Sequence, residues 1–297
     1  MNNTLRLRAF AKINLGLKIL GRRPDGYHEI RTLYQTVALH DRLEISLLKT
    51  SRKIEVVCDD PAVPPGRDNL VARACALWRK ARRYRGGIRV RLEKRIPAGS
   101  GLGGGSSDAA ATLLGLERLT GGRLHPARRF ALAAELGSDV PLFFWGGRVL
   151  GCGRGEEVHP LHDLPNRNCL IVFPGFSVST AEAYRQASLR LTSRGKPPSM
   201  DNFGAWPLFP QESWGPAEND FEQVVFARWP ELGKLKAQLI RAGAELASLT
   251  GSGSAVFALF KSARLPVRTP EFIPDEWQVF RTRTLSRAEY RRKLFEQ

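Results

Sequence analysis

A run of five glycines and three serines lies between a strand-like segment and an apolar segment typical of a helix. The run occupies residues 99–107, and the apolar segment covers Ala109–Leu119. Glycines let backbone N–H groups approach an anion closely, and the N-terminus of the following helix adds a partial positive charge. The segment therefore predicts a phosphate-binding loop, although a glycine-rich turn used only for tight geometry remains an alternative.

Two common phosphate-binding motifs fit this segment poorly. A Walker A loop requires a lysine before the final serine or threonine, and Gly105-Ser106-Ser107 has none. The glycines from residue 99 match the spacing G-x-G-x-x-G of dinucleotide-binding loops, whose preceding strand is apolar on both faces. Here residues 88–93 are charged at every second position. Dinucleotide-binding loops are also followed by an acidic residue about 20 positions after the first glycine. Here the candidate is Glu117, but it lies inside the predicted helix.

Size and composition exclude several classes of protein. The chain has 297 residues, enough for about two domains, and its hydrophobic fraction of 42% supplies a core. No run approaches 18 consecutive apolar residues, and no signal-peptide core follows the N-terminal methionine. The four cysteines lie far apart, without the spacing of zinc ligands. We therefore expect a cytoplasmic chain without a membrane span, a disulfide framework or a zinc module.

The patterns of helix and strand intermix along the chain without the regular alternation of a parallel sheet, which favours the α+β class. Residues 5–17 alternate with period two and predict a strand that places Phe10, Lys12 and Asn14 on one face. Asp68-Asn69 are suitable caps for a helix over Leu70–Arg82. The eight prolines and glycines of residues 192–218 predict a long irregular insertion.

The charge distribution favours anionic partners. The net charge is +17, and residues 79–95 contain nine basic side chains and one acidic side chain. This pattern is typical of a solvated surface, but it also leaves a nucleic-acid-binding protein open as an alternative. No aromatic or metal-binding motif of a nucleic-acid-binding fold accompanies the charge. We therefore expect phosphorylated small molecules, and neither nucleic acid nor a membrane, as partners.

Three motifs in order resemble the GHMP kinase superfamily, which includes galactokinase and the homoserine, mevalonate and phosphomevalonate kinases. Residues 97–107 resemble its phosphate-binding loop, Ala9–Leu15 its N-terminal strand, and Leu249–Phe257 its C-terminal glycine motif. The resemblance implies a two-lobed α+β fold. In it, an N-terminal ATP-binding domain of the ribosomal-S5-like type covers residues 1–158, and a C-terminal α+β domain covers residues 159–297.

Three further segments resemble one branch of this superfamily: Arg23–Ile30, Gly137–Phe144 and Asn219–Glu222. Members of that branch use ATP to phosphorylate the 2-hydroxyl group of a CDP-linked methylerythritol, in the non-mevalonate pathway of isoprenoid biosynthesis. The resemblance therefore implies ATP, Mg²⁺ and a CDP-linked alcohol as ligands. The segment around Ser177–Thr180, together with Tyr184, matches this branch only loosely. Another small-molecule kinase, of the homoserine or mevalonate type, is the nearest alternative.

The resemblance also implies roles for individual residues. It implies that Lys12 and Asp139 are catalytic, with Asp139 as the base. The implied substrate-binding residues are Asn14, Tyr27, His28, Thr180 and Tyr184. The implied ATP-binding residues are Asn69, Lys94, Pro97, Ala98, Gly99, Ser100, Gly101, Leu102, Gly103, Gly104, Gly105, Ser106 and Ser107.

The residues themselves leave alternatives open for these roles. An isolated Asp139 after Gly137 is also a suitable helix N-cap, and an isolated Lys12 is most often a solvated side chain. Phosphoryl transfer requires Mg²⁺, for which Ser107 offers a hydroxyl, but no carboxylate stands out as a ligand. His159 and His162 lie beside prolines without a third ligand, and we expect them in a surface loop.

Overall fold

Strands and helices intermix along the chain, as the sequence predicts. The computed structural model describes residues 3–49, 51–193, 218–261 and 270–296. The strands are β1 (Thr4–Arg22), β2 (His28–Leu48), β3 (Ile54–Cys58), β4 (Gly87–Glu93), β5 (Arg148–Cys152), β6 (Glu157–Pro160), β7 (Asn168–Phe173), β8 (Leu246–Leu249), β9 (Val256–Phe260) and β10 (Gln278–Arg283). The helices are α1 (Leu70–Arg82), α2 (Gly104–Thr120), α3 (Pro126–Leu136), α4 (Thr180–Ser193), α5 (Glu222–Arg228), α6 (Pro230–Arg241) and α7 (Arg287–Leu294).

The first sheet is organised around the long strand β2. β1 pairs with β2 in antiparallel register along almost its whole length, and the remaining order is β3-β4-β2-β5-β6. The β3–β4 pair is parallel, and the other pairs are antiparallel. Apolar residues of α1, α2 and α3 pack on this sheet around the buried Trp78. The strand-like segment with a charge at every second position of residues 88–93 is present as β4, which ends at Glu93.

The second sheet is antiparallel, with the order β10-β7-β9-β8. Its apolar side chains pack with those of α4, α5 and α6, and Leu17 and Ile19 at the far end of β1 join that core. The α+β class is therefore confirmed. The predicted division between residues 158 and 159 falls inside β6, which pairs with β5 of the first sheet.

Strand β1 departs from the simple alternation expected of it, because every residue from 9 to 17 is buried. Ala11, Ile13 and Leu15 pack against the second sheet. Phe10 does not share a surface with Lys12: the pairing register shifts between these two residues, and Phe10 packs with Tyr290 and other residues at the C-terminus. The strand is buried on both sides because it passes between the two layers.

Helix α2 begins earlier than predicted, and this changes the meaning of the Gly/Ser run. The helix begins at Gly104 rather than near Ala109, so residues 104–107 form its first turn and the loop itself ends at Gly103. Gly103 has a φ of 73°, a left-handed conformation that separates the loop from the helix. Sequence propensity places glycine outside helices, whereas here the glycines expose the helix N-terminus.

Other predicted elements agree with the structure in part. Asn69 caps α1, since its Oδ1 accepts a hydrogen bond from the Val71 N–H at 2.8 Å. Most of the predicted insertion, residues 194–217, lies outside the described residues. His159 and His162 are exposed, as expected, but His159 belongs to β6 rather than to a loop. Among the described helices, none is long and apolar enough to cross a membrane.

Candidate active site

A single cleft brings together almost all of the residues that the sequence singled out. Its volume is about 1430 Å³, which exceeds the roughly 300–1,000 Å³ typical of a pocket for one small ligand. Lys12, Asn14, Tyr27, His28, Asn69, Lys94, residues 97–106, Asp139, Thr180 and Tyr184 all line it. Ser107 is buried behind the first turn of α2 and does not line the cleft. A cleft of this size has room for two ligands side by side.

The glycine loop is held in place by β1 and by the C-terminal glycine motif. The Lys12 N–H donates to the Leu102 carbonyl at 2.9 Å, and the Ala255 N–H donates to the Ser100 carbonyl at 3.1 Å. The single hydrogen of the Thr250 hydroxyl is shared between the Gly101 carbonyl and Asn14 Oδ1, each 3.2 Å from the hydroxyl oxygen. Carbonyls of the loop are thus bound by neighbouring segments. The C-terminal glycine motif therefore supports the loop from behind.

The N-terminus of α2 opens into the cleft. No side chain caps it, its first turn contains no acidic residue, and Gly104, Gly105 and Ser106 line the cleft. The first N–H groups of a helix have no partner within the helix, and the helix dipole makes this end positive. The arrangement suits a phosphate group.

Lys12 and Asp139 form an ion pair in this cleft. Lys12 Nζ lies 3.2 Å from Asp139 Oδ2, and the lysine side chain is only 3% exposed. The interpretation of Lys12 as a solvated surface residue is therefore wrong. Asp139 does not cap a helix either, since the following 3-10 helix, Pro141–Phe144, has Val140 at its N-cap and no side-chain cap. The carboxylate is instead available to the cleft, where 28% of the side chain is exposed.

Asn14 orients the lysine. Its Oδ1 accepts hydrogen bonds from Lys12 Nζ at 2.6 Å and from the Thr250 hydroxyl at 3.2 Å. Its Nδ2 donates to Thr32 Oγ1 at 2.7 Å. The structure thus brings Lys12 and Asn14 into contact at one place in the cleft, and the catalytic role of Lys12 stays a prediction. The direct contact of Asn14 with a substrate stays a prediction.

Two tyrosines that sequence reasoning missed contribute to the surroundings of Asp139. The Tyr34 hydroxyl donates to Asp139 Oδ1 at 2.8 Å. The Tyr290 hydroxyl of α7 donates to the Phe143 carbonyl at 2.6 Å, in the 3-10 helix that follows Asp139. Tyr34 reaches the site because it pairs with Asn14 in the β1–β2 register. The sequence alone does not reveal this register.

Lys94 is buried beneath the first turn of α2 and pairs with two carboxylates. Its Nζ contacts Asp41 and lies 2.9 Å from Asp108 Oδ2, and its side chain is 5% exposed. Burial opposes the charge of Lys94, but the two carboxylates outweigh it and raise the lysine pKa. Burial raises the pKa of Asp108, against the lowering effect of Lys94. Among the described lining residues, Lys94 is the one basic side chain that comes from the segment 79–95.

Aromatic side chains line the opposite end of the cleft. The His28 and Tyr184 rings are stacked with centroids 4.8 Å apart, and Phe221 meets Tyr184 edge-on at 4.8 Å. Tyr27 is 56% exposed, and the Arg154 guanidinium lies 4.7 Å from its ring centroid. Burial, followed by the nearby Arg22, lowers the pKa of His28, so its imidazole is neutral near pH 7.

Comparison with known proteins identifies the family. The chain is 44% identical over 292 residues to the 4-diphosphocytidyl-2-C-methyl-D-erythritol kinase of Solibacter usitatus (strain Ellin6076), covering 96% of this chain and 90% of the relative. The crystal structure of a 4-(cytidine 5'-diphospho)-2C-methyl-D-erythritol kinase superimposes with a TM-score of 0.70 and 33% identity, covering 94% and 99% of the two chains. This chain belongs to the 4-diphosphocytidyl-2-C-methyl-D-erythritol kinase family.

The wider superfamily is evident as well. Residues 69–147 match the GHMP kinases N terminal domain, and residues 210–275 match the GHMP kinases C terminal domain. The homoserine kinase from Cytophaga hutchinsonii superimposes with a TM-score of 0.67 at 18% identity, covering 96% of each chain, and so shares the fold. Relatives of the 4-diphosphocytidyl-2-C-methyl-D-erythritol kinase family reach more than twice that identity. The resemblance found in the sequence is therefore confirmed at the level of both superfamily and branch.

The segment Asn219–Glu222, part of that resemblance, has a supporting position. Asn219 Nδ2 donates to the carbonyls of Leu249 and Gly251, each at 2.9 Å. Asp220 Oδ2 accepts from the Ile19 N–H at 2.8 Å, so the segment joins β1 to the C-terminal glycine motif. The residues of this segment that resemble the branch therefore help to assemble the cleft.

Proposed function

We propose that this protein uses ATP to phosphorylate the 2-hydroxyl group of 4-diphosphocytidyl-2-C-methyl-D-erythritol, in the methylerythritol phosphate pathway of isoprenoid biosynthesis. The observation that carries the proposal is the placement of the Lys12–Asp139 pair between the N-terminus of α2 and the His28–Tyr184 stack. The N-terminus of α2 suits the phosphates of a nucleotide, and the aromatic stack suits a planar base. The relatives named for this activity support the same assignment, and the nucleic-acid alternative is not favoured.

Asp139 is the proposed general base. Its carboxylate accepts the proton of the substrate hydroxyl as the oxygen attacks the γ-phosphorus of ATP and the bond to the β-phosphate oxygen breaks. The Lys12 ammonium, held by Asn14, offsets the negative charge that develops on the transferred phosphoryl group. The backbone N–H groups at the N-terminus of α2 hold the phosphates of ATP, so the main catalytic contributions are positioning and electrostatics.

The adenosine end of ATP is proposed to occupy the part of the cleft next to α1. Val63, Leu70, Leu92 and Ile96 make this part apolar, and Asn69 lies at its edge. Lys94 contributes by holding the first turn of α2 through Asp108, in addition to any direct contact with the nucleotide. Arg22, Arg154 and Arg185 line the substrate half, where their charges suit a diphosphate.

Mg²⁺ is proposed to accompany ATP. Among the described residues, no group of three or more His, Cys, Asp or Glu side chains is arranged to hold a metal ion. Mg²⁺ bound to a nucleotide takes most of its ligands from phosphates and water, so one protein oxygen is enough to fit it. Within the described chain, Ser107 Oγ is buried without a hydrogen-bond partner but does not line the cleft. The neighbouring Asp108 lines it and also has one carboxylate oxygen, Oδ1, without a partner, so Asp108 would provide that oxygen. The ion would neutralise charge on the β- and γ-phosphates.

The proposed function is tested by ADP release from the purified protein. We expect ADP release that depends on the CDP-linked alcohol, with no release above background when homoserine, mevalonate or galactose replaces it. Release with one of those three and not with the CDP-linked alcohol would assign the protein to another branch. The cytoplasmic location expected from the sequence stays a prediction.

Substitution of Gly103 by valine is expected to weaken ATP binding by at least about tenfold while the protein stays folded. A Cβ at this position would lie 3.0 Å from Lys12 Cγ and 3.2 Å from Phe143 Cζ, and φ is +73°. Isothermal titration calorimetry measures the affinity, and circular dichroism the fold. The matched control is Gly121→Val at the other end of α2, where φ is +65° and a Cβ meets open space. Equal ATP affinity in folded Gly103→Val and the control would place the phosphates elsewhere.

His28 is expected to recognise the cytosine base. A neutral imidazole offers one donor and one acceptor, so His28→Ala leaves an edge of the base unpaired and lowers kcat/KM for the CDP-linked substrate by about tenfold or more. The KM for ATP is expected to change little, as is every parameter of the exposed control variant His159→Ala. Wild-type enzyme should also discriminate against the uracil analogue. An unchanged cytosine-to-uracil ratio in His28→Ala would remove His28 from base recognition.

A further inference from the structure

Tyr34 lies on β2 at the wall of the cleft and contacts both members of the proposed catalytic pair. Its side chain is buried, with 1% of the residue exposed. Its hydroxyl donates to Asp139 Oδ1 at 2.8 Å, while Lys12 Nζ lies 3.2 Å from Oδ2 and 5.5 Å from the centre of the tyrosine ring. Each oxygen of the carboxylate therefore has one partner from the protein. With both oxygens engaged, the plane of the carboxylate is fixed.

We propose that Tyr34 is a positioning residue for Asp139: its hydroxyl fixes the carboxylate plane and stabilises the ionised form that accepts the substrate proton. The proposal deepens the proposed function and rests on it for the identity of the reaction. A carboxylate oxygen has more than one acceptor site, so the hydrogen bond from Tyr34 leaves acceptor capacity directed to the cleft. Tyr34 itself touches no reacting atom in this scheme.

The backbone of β5 and of the turn after it packs closely against the tyrosine ring and holds it in place. A Cβ on Gly151 would lie 2.5 Å from Tyr34 Cε2, and a Cβ on Gly155 would lie 2.6 Å from Tyr34 Oη. Real Cβ atoms do not approach other heavy atoms so closely, so both positions require glycine. The phenol therefore occupies a slot whose far end is the backbone of Gly155. This slot directs the hydroxyl towards Asp139.

The electrostatics agree with a donor hydroxyl. Burial, followed by the negative charge of Asp139, raises the pKa of Tyr34 well above its usual value, so the phenol keeps its proton. In the part of the chain that the structure describes, the titratable and charged groups that act on Asp139 include Lys12 from β1, Tyr34 from β2 and Tyr184 from α4. Lys12 and the Tyr34 hydroxyl both favour the ionised carboxylate.

The first test is Tyr34→Phe, which keeps the ring and its contact with Lys12 and removes only the hydroxyl. We expect kcat to fall by about tenfold, with the KM values for ATP and the alcohol within about twofold of wild type. The matched control is Tyr84→Phe, on a tyrosine that packs against Trp78 outside the cleft. An unchanged kcat in Tyr34→Phe, or a loss that appears in the KM values instead of in kcat, would overturn the proposal.

The second test uses the slot. In the wild-type background, Gly155→Ala places a Cβ against the tyrosine hydroxyl and should lower kcat to about the level of Tyr34→Phe. In the Tyr34→Phe background the clashing oxygen is gone, since the next ring atom lies 3.8 Å from that Cβ. The two effects on kcat should therefore be non-additive, whereas the backbone strain of alanine at a φ of +108° lowers stability equally in both. Additive effects on kcat would show that Gly155→Ala does not act through the tyrosine hydroxyl, which contradicts the proposal.

A third measurement does not depend on turnover. Carbon-13 NMR of the aspartate carboxyl groups, with Asp139→Asn identifying the signal, should show a displaced Asp139 carboxyl resonance in Tyr34→Phe, because the carboxylate has lost a hydrogen-bond donor. The result separates two kinds of failure. A wild-type protein that releases no ADP with the CDP-linked alcohol overturns the proposed function. An Asp139 carboxyl resonance at the same position in wild type and Tyr34→Phe overturns the role of Tyr34, whatever the substrate.

Discussion

Asp139→Asn is expected to lower kcat by about 10²–10⁴-fold, because the amide keeps the shape of the carboxylate but cannot accept the substrate proton. The position of the side chain should survive, since the Tyr34 hydroxyl can still donate to the amide oxygen. ATP binding should be nearly unchanged, because the phosphates are held by α2 and its loop. Steady-state kinetics and calorimetric ATP titration measure the two quantities separately.

The control for this substitution is Asp275→Asn, which makes the same chemical change at an exposed position outside the cleft. It should leave kcat within about twofold of wild type. An Asp139→Asn variant that retains more than half of wild-type turnover would show that Asp139 is not the base. Proton transfer would then have to be assigned to solvent or to another group.

Lys94→Met is expected to lower the free energy of unfolding by about 3–5 kcal/mol, because it leaves two buried carboxylates without their cation. Asp41 is fully buried, and its Oδ1 accepts hydrogen bonds from the N–H groups of Arg95 and Ile96, just after β4. The carboxylate therefore cannot move into water without losing these two hydrogen bonds. Asp108 is 2% exposed. Urea denaturation of the variant and of wild type measures the difference.

Two further variants make this stability test specific. Arg6→Met breaks an ion pair with Glu44 in which the arginine side chain is 69% exposed, and it should leave the free energy of unfolding close to that of wild type, because solvent screens such a pair. Lys94→Met combined with Asp108→Asn removes one of the stranded charges and should recover part of the lost stability. A cost for Lys94→Met as small as that for Arg6→Met would mean that the buried charges find other partners.

The local elements were largely predictable, because their signals lie in contiguous residues. The Asn69 cap and the two apolar segments that follow it predicted α1 and most of α2. The start of α2 was predicted five residues late, since intrinsic propensity argues against the glycines at 104 and 105. Their conformation is decided by Gly103 and by the packing of the loop against residues 250–255, which local sequence does not contain.

The site was predictable only where the resemblance of several motifs to a known superfamily replaced distance information. Lys12 and Asp139 are far apart in the chain, and each alone favours a structural role; the resemblance brought them together before the geometry did. Tyr34 and Asp108 were missed because their partners come from other elements. The buried state of Lys94 was missed because one of its carboxylates, Asp41, lies 53 positions away on β2.

The central claim is tested most directly by phosphorus-31 NMR of the product made from ATP and 4-diphosphocytidyl-2-C-methyl-D-erythritol. The 2-hydroxyl group sits on a carbon that carries a methyl group and no hydrogen. A phosphate transferred there gives a new phosphomonoester signal without three-bond coupling to a carbinol proton, and we expect this unsplit signal to grow as ATP is consumed. A new phosphomonoester signal split by carbinol protons would place the phosphate on another hydroxyl group. ATP consumption with only inorganic phosphate as product would contradict the proposed kinase activity.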